Sequence, residues 1–330
     1  MFLTLEQIKS VTFGAVDVSL TDGGIQFRRC SQKQIGVWQS FSDFLGRGAR
    51  CTTGIRLDFH TNSKSISFSA AEGNKFDLYV DGLFREKIEM NGYRERGEVP
   101  HISLTDPLGT PKKEDETTRV TLWLPSHEAA VLSGVSIDDG ASIVPHCFDI
   151  KMLFIGDSIT QGWNSTYDSF AFAPRVASFF NAESVNQGIG GSFFSAETFD
   201  RIDFEPDVTV VAYGTNDWVK RSTLEELYNH ASAHLSLIKE AFGGNDKRIF
   251  AVSPIWRGDT DPRTMGSFAD CRAAVIRAIE EVGVIHVNGL TLVPPLPELF
   301  ADKYLHPNDL GFSVYAENLT KAITSHTEQK

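Results

Sequence analysis

The feature that most limits what this chain can fold into is a change of hydrophobic rhythm near residue 147. Before it, apolar and polar residues alternate in short runs at 24–30, 34–39, 54–60, 65–70, 76–80, 119–124 and 130–137, the period of a strand with one face buried. Turn residues separate the runs: Asp22-Gly23-Gly24, Asn62-Ser63, Asp81-Gly82, Asn91-Gly92 and Asp138-Asp139-Gly140,. Many short strands spaced by such signals predict an antiparallel, jelly-roll-like β-sandwich over residues 1–147. The stretch 110–118, with Pro111 and mixed charges, reads as an exposed loop.

After Pro145 the pattern becomes a fully apolar, β-branched run followed by an amphipathic helix, repeated. The runs lie at 151–155, 182–186, 207–213, 248–254 and 283–287, the spelling of parallel strands covered on both faces. Helices are expected from Ser222, where Ser222-Thr223-Leu224-Glu225 spells a capping box, to Gly243-Gly244; from 267 to 282, ending at Gly283; and over 309–325,. Residues 148–330 therefore predict a doubly wound α/β domain of three layers, flavodoxin-like in kind.

The length of 330 residues suits two such domains,. With 31 Lys and Arg against 43 Asp and Glu the net charge is −12, most of the acidic excess falling after residue 147. That argues against nucleic acid or an anionic membrane as partner and favours a neutral small-molecule substrate. Charged residues interrupt every apolar run, so no membrane span is expected. The first residues carry neither a basic segment nor an apolar core of an export signal, and Cys30, Cys51, Cys147 and Cys271 form no CxxC pair,. The expectation is a cytoplasmic protein with reduced thiols. His230 and His234 are spaced i, i+4, but with no HExxH and no third ligand near in sequence no metal or cofactor is predicted,.

In an open parallel sheet the working groups collect where strands end at their carboxyl edge. The first strand runs into Gly156-Asp157-Ser158-Ile159-Thr160-Gln161-Gly162, placing a serine on the turn into a helix. The second ends in Asn186-Gln187-Gly188-Ile189-Gly190-Gly191-Ser192, the third in Gly214-Thr215-Asn216-Asp217-Trp218, and beyond the fifth comes Asp302-Lys303-Tyr304-Leu305-His306-Pro307. Each piece alone is an ordinary turn, loop or cap. In this order, from about residue 151 to the C-terminus, they resemble the SGNH, or GDSL-type, hydrolase superfamily. The resemblance implies Ser158 as nucleophile, His306 as general base, and an oxyanion hole made by the N–H of Ser158, the N–H of Gly191 and the Asn216 amide, with Gly188 in reserve for Gly191. There is no GxSxG elbow and no GxxxxGK[ST] loop, which sets aside α/β-hydrolase lipases and nucleotide hydrolysis,.

One departure from the family spelling matters. The family's last block is Asp-x-x-His, whereas here Lys303 stands three before His306 and the carboxylate, Asp302, four before. Two readings stay open: a one-residue bulge delivers Asp302 to the imidazole and completes a triad, or a backbone carbonyl orients the ring of a Ser–His dyad. Asp157 and Asp217 read as local turn formers. Trp218, Trp256 and Arg257 are candidate substrate-binding residues, each with an alternative in core packing or an exposed loop. The resemblance implies acyl transfer: a serine esterase for small acyl groups, acetyl first, on a carbohydrate-like alcohol such as an acetylated oligosaccharide. The alternatives are an acyltransferase using the same site, and a glycan-binding protein whose α/β domain is inert. The sandwich is a packed partner, a glycan binder, a cover for the site or a surface for homo-oligomer formation.

Overall fold

In the computed structural model, described for residues 1–105, 116–244 and 248–327, the apolar runs of the second half pair as a five-stranded parallel sheet. Its strands are β1 (Ile150–Gly156), β2 (Ala182–Gly188), β3 (Val208–Ala212), β4 (Arg248–Val252) and β5 (Ile285–Val287), in the order β2-β1-β3-β4-β5. Gly156 lies level with Gly188 on one side and with Ala212 on the other, so the carboxyl ends of β1, β2 and β3 open at one place. Alternate side chains, Met152 and Phe154, Val208 and Val210, Phe250 and Val252, join Phe172, Phe312 and Tyr315 of two helices, Phe172–Phe179 and Asp309–Thr327, in one core. Phe172 and Tyr315 stack with centroids 4.2 Å apart. Leu153, Ile155 and Val211 are equally buried and, by the two-residue period, face the opposite side,.

The long helix expected from Ser222 runs Leu224–Phe242, with Thr223 as its cap. Thr223 Oγ1 accepts the Glu226 N–H at 3.1 Å while Glu226 Oε2 accepts the Ser222 N–H at 2.9 Å. The same reciprocal logic holds one residue later than the sequence spelling suggested, because Glu226 and not Glu225 reaches back. Ser267 caps Phe268–Val282 with Asp270, and Gly283 closes that helix at φ +72°.

The first half contains two antiparallel sheets. One holds Thr12–Phe13, Arg56–Thr61, Thr118–Trp123, Lys75–Val80 and Leu83–Glu89, with Ile143–Pro145 beside Arg56–Thr61; the other holds Asp17–Thr21, Gly24–Arg28, Val131–Ile137, Ser65–Glu72 and His101–Ser103. Ile25, Phe27, Leu57, Phe59, Phe68, Phe76, Leu78, Leu122 and Val135 from both sheets share one core, which makes this a sandwich,. Of the loop expected at 110–118, residues 110–115 lie outside the described residues, and Thr118 begins a strand.

Two segments do not follow the expected split at 147. The chain divides into one compact unit of Met1–Arg29, Arg50–Phe148 and Tyr167–Ser169, and a second that takes Cys30–Ala49 together with the rest of the chain from Asp149. The run at 34–39 is no strand. It lies within the helix Gln32–Phe41, followed by a second helix Asp43–Arg50. Ser31 forms a capping box with Gln34, and Ile35, Trp38, Leu45 and Ala49 make a buried stripe at helical spacing that packs on Ile189 and Phe193,. In the other direction, Ser169 donates its N–H and hydroxyl to Asp77 at 2.9 and 2.8 Å, and Asp168 accepts the Ser126 N–H at 3.0 Å, which draws Tyr167–Ser169 into the sandwich unit.

Candidate active site

β1 ends in a turn because Asp157 caps the short helix Ser158–Gln161, its carboxylate accepting the Ile159 N–H at 2.9 Å. Ser158 is the first residue of that helix, where a backbone N–H has no partner in the preceding turn,. Its hydroxyl lies 2.8 Å from His306 Nε2, and His306 Nδ1 lies 2.6 Å from Asp302 Oδ2. A carboxylate only accepts, so Nδ1 carries the imidazole proton and Nε2 is left to accept from the serine hydroxyl.

The extra residue between Asp302 and His306 is absorbed by Lys303, which takes the left-handed conformation at φ +72°. Asp302 Oδ1 then accepts the N–H groups of Tyr304, Leu305 and His306 at 3.1, 2.8 and 3.0 Å, while Oδ2 takes the imidazole. Burial pushes the Asp302 carboxyl up, but the Leu305 N–H, the His306 ring and the other two amides outweigh it and hold the group below its ordinary value,. Of the two readings of this loop, the geometry is that of the carboxylate and not of the backbone carbonyl.

In the loop after β2 most amides are already committed. The Gly188 N–H goes to Asn186 Oδ1 at 2.8 Å, that of Gly190 to Gln161 Oε1 at 2.6 Å, and that of Ser192 to the Ile189 carbonyl at 3.1 Å. Gly188 serves close packing instead, since a Cβ there would meet the Gln161 nitrogen at 2.5 Å. The Gly191 N–H has no partner among the described residues, and Gly191 sits at φ +77°, a conformation that favours glycine,. Asn216 spends one amide hydrogen on the Ser192 carbonyl at 2.9 Å, fixing its orientation and leaving the second,.

Three expected substrate contacts fare differently. Trp218 is fully buried, donates its indole N–H to the Gly266 carbonyl at 3.1 Å, and carries the Arg257 and Arg263 guanidinium groups 4.9 and 5.1 Å from its ring centre. It has no surface for a ligand. Arg257 is 5% exposed: it grips Asp259 with two hydrogen bonds at 2.6 and 2.7 Å and donates to the carbonyl and hydroxyl of Thr215 at 3.1 and 3.0 Å. It therefore braces the residue before Asn216 and does not face substrate. Trp256 is half-buried against Phe300, at the base of the loop that carries Asp302 and His306.

Sequence reasoning missed two aromatic residues. Trp163 stacks on His306 with centroids 6.1 Å apart and planes at 30°, and Phe44 meets Trp163 edge-on at 6.0 Å. The signals were the indole directly after Gly162 and the helical stripe from Ile35 to Ala49, which the period-two reading hid. Asp157 and Asp217 lie behind the site, both pushed up to about 7, first by burial. Asp217 accepts the Phe194 N–H at 3.2 Å. His234 is buried with Nδ1 facing the Ser195 N–H at 3.3 Å, and burial lowers it to about 4.

Residues 154–314 match the GDSL-like lipase/acylhydrolase family. The parallel-sheet unit is an SGNH-superfamily, GDSL-type domain. No curated protein sequence matches the chain. Among solved structures, the chain is similar to a salicylyl-acyltransferase, SsfX3, from a tetracycline biosynthetic pathway, at 18% identity and a TM-score of 0.78, covering 96% of this chain and 94% of that one. It is also similar to a family two carbohydrate esterase from Clostridium thermocellum in complex with cellohexaose, at 17% identity and 0.62, covering 96% and 98%. A third is an acetyl xylan esterase from Butyrivibrio proteoclasticus, at 13% and 0.61, covering 99% of each. At these identities the likeness is one of fold, and it extends over the sandwich as well as the SGNH domain.

Proposed function

We propose that the protein is a serine ester hydrolase acting through an acyl-enzyme. The observation that carries this is the continuous chain from the Ser158 hydroxyl through His306 to Asp302, at 2.8 and 2.6 Å, beside an uncommitted Gly191 N–H and an oriented Asn216 amide. A serine hydroxyl is inert at neutral pH unless a base takes its proton during attack. Nε2 accepts that proton as Oγ bonds to the ester carbonyl carbon, and the carbonyl electron pair moves onto oxygen, facing the Ser158 N–H, the Gly191 N–H and Asn216. Asp302 stabilises the imidazolium. Collapse expels the alcohol, protonated from Nε2, and leaves an acyl-serine. Water, deprotonated by Nε2, then attacks the acyl carbon and restores Ser158. Each oxyanion donor is worth about 2.7–4 kcal/mol of barrier in such sites.

The substrate reading is a small acyl group, acetyl first, on a carbohydrate-like alcohol. Its support is the shared two-part fold with carbohydrate esterases, one of them solved with cellohexaose. An acyltransferase with an alcohol in place of water is the second reading, supported by the 0.78 likeness to SsfX3. The test is a panel of p-nitrophenyl esters and acetylated sugars with a Ser158→Ala control. Hydrolysis of acetate esters that disappears in Ser158→Ala is expected. Preference for long acyl chains would remove the acetyl reading, and a labelled acyl group moving to an added alcohol faster than to water would favour the transferase.

A further inference from the structure

Phe44 is 47% exposed although it is a large aromatic side chain. It stands on the helix Asp43–Arg50, far from the SGNH motifs in sequence. Its ring edge would be 3.4 Å from a Cβ placed on Gly191. Trp163 is packed so tightly over Gly190 that a Cβ there would lie 2.6 Å from the indole nitrogen. The same indole stacks on His306 and meets Phe44 at 64°. An aromatic wall thus runs from the imidazole, across Gly190, to Gly191, with a corner where the two rings meet.

We propose that Phe44 and Trp163 form a specificity wall that receives the alcohol half of the ester, and that it favours alcohols carrying a six-membered ring. This rests on the acyl-transfer reading of Ser158. The leaving oxygen must come within reach of His306 Nε2, because that nitrogen returns the proton to it. Whatever the oxygen bears therefore begins beside the imidazole, and the side chain stacked on the imidazole is Trp163. A flat or chair-shaped ring laid on the indole presents its C–H or π face to the aromatic surface, with Phe44 closing the open edge of the corner. An acyclic alcohol fills the same corner poorly. The shared chemistry is a ring with an apolar face, and it is met by a pyranose and by an aryl alcohol alike.

The experiment compares ethyl acetate, phenyl acetate and a methyl 6-O-acetyl-glucopyranoside in the intact protein and in Phe44→Ala, each rate divided by its own wild-type value so that intrinsic ester reactivity cancels. Phe44→Ala is expected to lower kcat/KM about tenfold for one or both ring-bearing acetates and to leave ethyl acetate within twofold; Phe44→Tyr restores the ring-bearing rates. Loss for phenyl acetate alone assigns the wall to aryl alcohols, and loss for the pyranoside assigns it to sugars. An equal loss for all three esters, or no loss for any, would overturn the proposal. A second measurement is independent of the chemistry: calorimetric binding of phenyl β-glucopyranoside to Ser158→Ala is expected to weaken severalfold when Phe44→Ala is added. Unchanged binding counts against the wall. Retained hydrolysis in Ser158→Ala counts against the acyl-transfer reading alone.

Discussion

At the scale of single residues, Asp302 does two jobs with its two oxygens. One closes the loop on three amides, and the other takes the imidazole. Asp302→Asn keeps an oxygen for the amides but presents an NH₂ group or the wrong acceptor to Nδ1, which disturbs the tautomer. A fall in kcat/KM of about 10³-fold or more is expected, with the thermal midpoint little changed; activity within a few-fold of wild type would leave His306 working as part of a dyad. Asp157 makes the opposite kind of statement. Its folded value is about 7, raised mainly by burial, so between its ordinary range and pH 7 the folded chain keeps a proton that the unfolded chain has released. Stability from this group is complete on the acid side, falls as pH rises through that window, and stays lower above it. Asp157→Asn, which still offers an oxygen to Ile159, should shrink the loss of thermal midpoint between pH 5 and pH 8, measured by calorimetry; an unchanged loss would assign it to other groups.

At the scale of elements, the loop after β4 holds the loop after β3. Arg257 reaches from one to the Thr215 carbonyl and hydroxyl of the other, so Arg257→Met is expected to lower kcat about tenfold while KM moves less than twofold. Lysine, which lacks the fork, should rescue it only in part. A change confined to KM would return Arg257 to substrate contact. The strands and the order of motifs were legible in the sequence because four of the five buried runs of the parallel sheet end at or within two residues of a glycine (Gly156, Gly188, Gly214 and Gly289) and the other meets Pro254, residues that mark a strand end even without pairing information. The helix Gln32–Phe41 was not. In Gln34-Ile35-Gly36-Val37-Trp38-Gln39 polar and apolar residues nearly alternate, and the better signal was the capping spelling Ser31-Gln32-Lys33-Gln34. Trp218 and Arg257 were misplaced because sequence shows that a residue follows a strand, not whether its neighbours bury it. Gln34 and Gln187 bind one another through two amide hydrogen bonds at 3.1 Å. Gln34→Ala removes both of these buried hydrogen bonds together with the acceptor of the Ser31 N–H and should cost about 1–3 kcal/mol in denaturant unfolding; the double change to Leu at both positions should recover part of it.

At the scale of the whole molecule, the SGNH domain is discontinuous in sequence. Cys30–Ala49 belongs to the same compact unit as the chain from Asp149, and its stripe covers Ile189 and Phe193 on the loop that bears Gly191. A fragment of residues 148–330 contains every SGNH motif yet lacks that cover. It should aggregate or bind a hydrophobic dye, and show no esterase activity; a cooperatively unfolding, active fragment would refute this. The motif order gave the chemistry without the cover, since nothing local ties a helix pair near residue 40 to a glycine loop near 190.

The same discontinuity has a consequence in time. Gln187 follows Gln34 by 153 residues, and at roughly 5–20 residues per second a ribosome needs about 8–30 s to make the partner. Through that interval Ile35, Trp38 and Leu45 stand on the nascent chain without the Ile189 and Phe193 surface they later cover, an apolar stripe open to aggregation until the second half of the chain has been made.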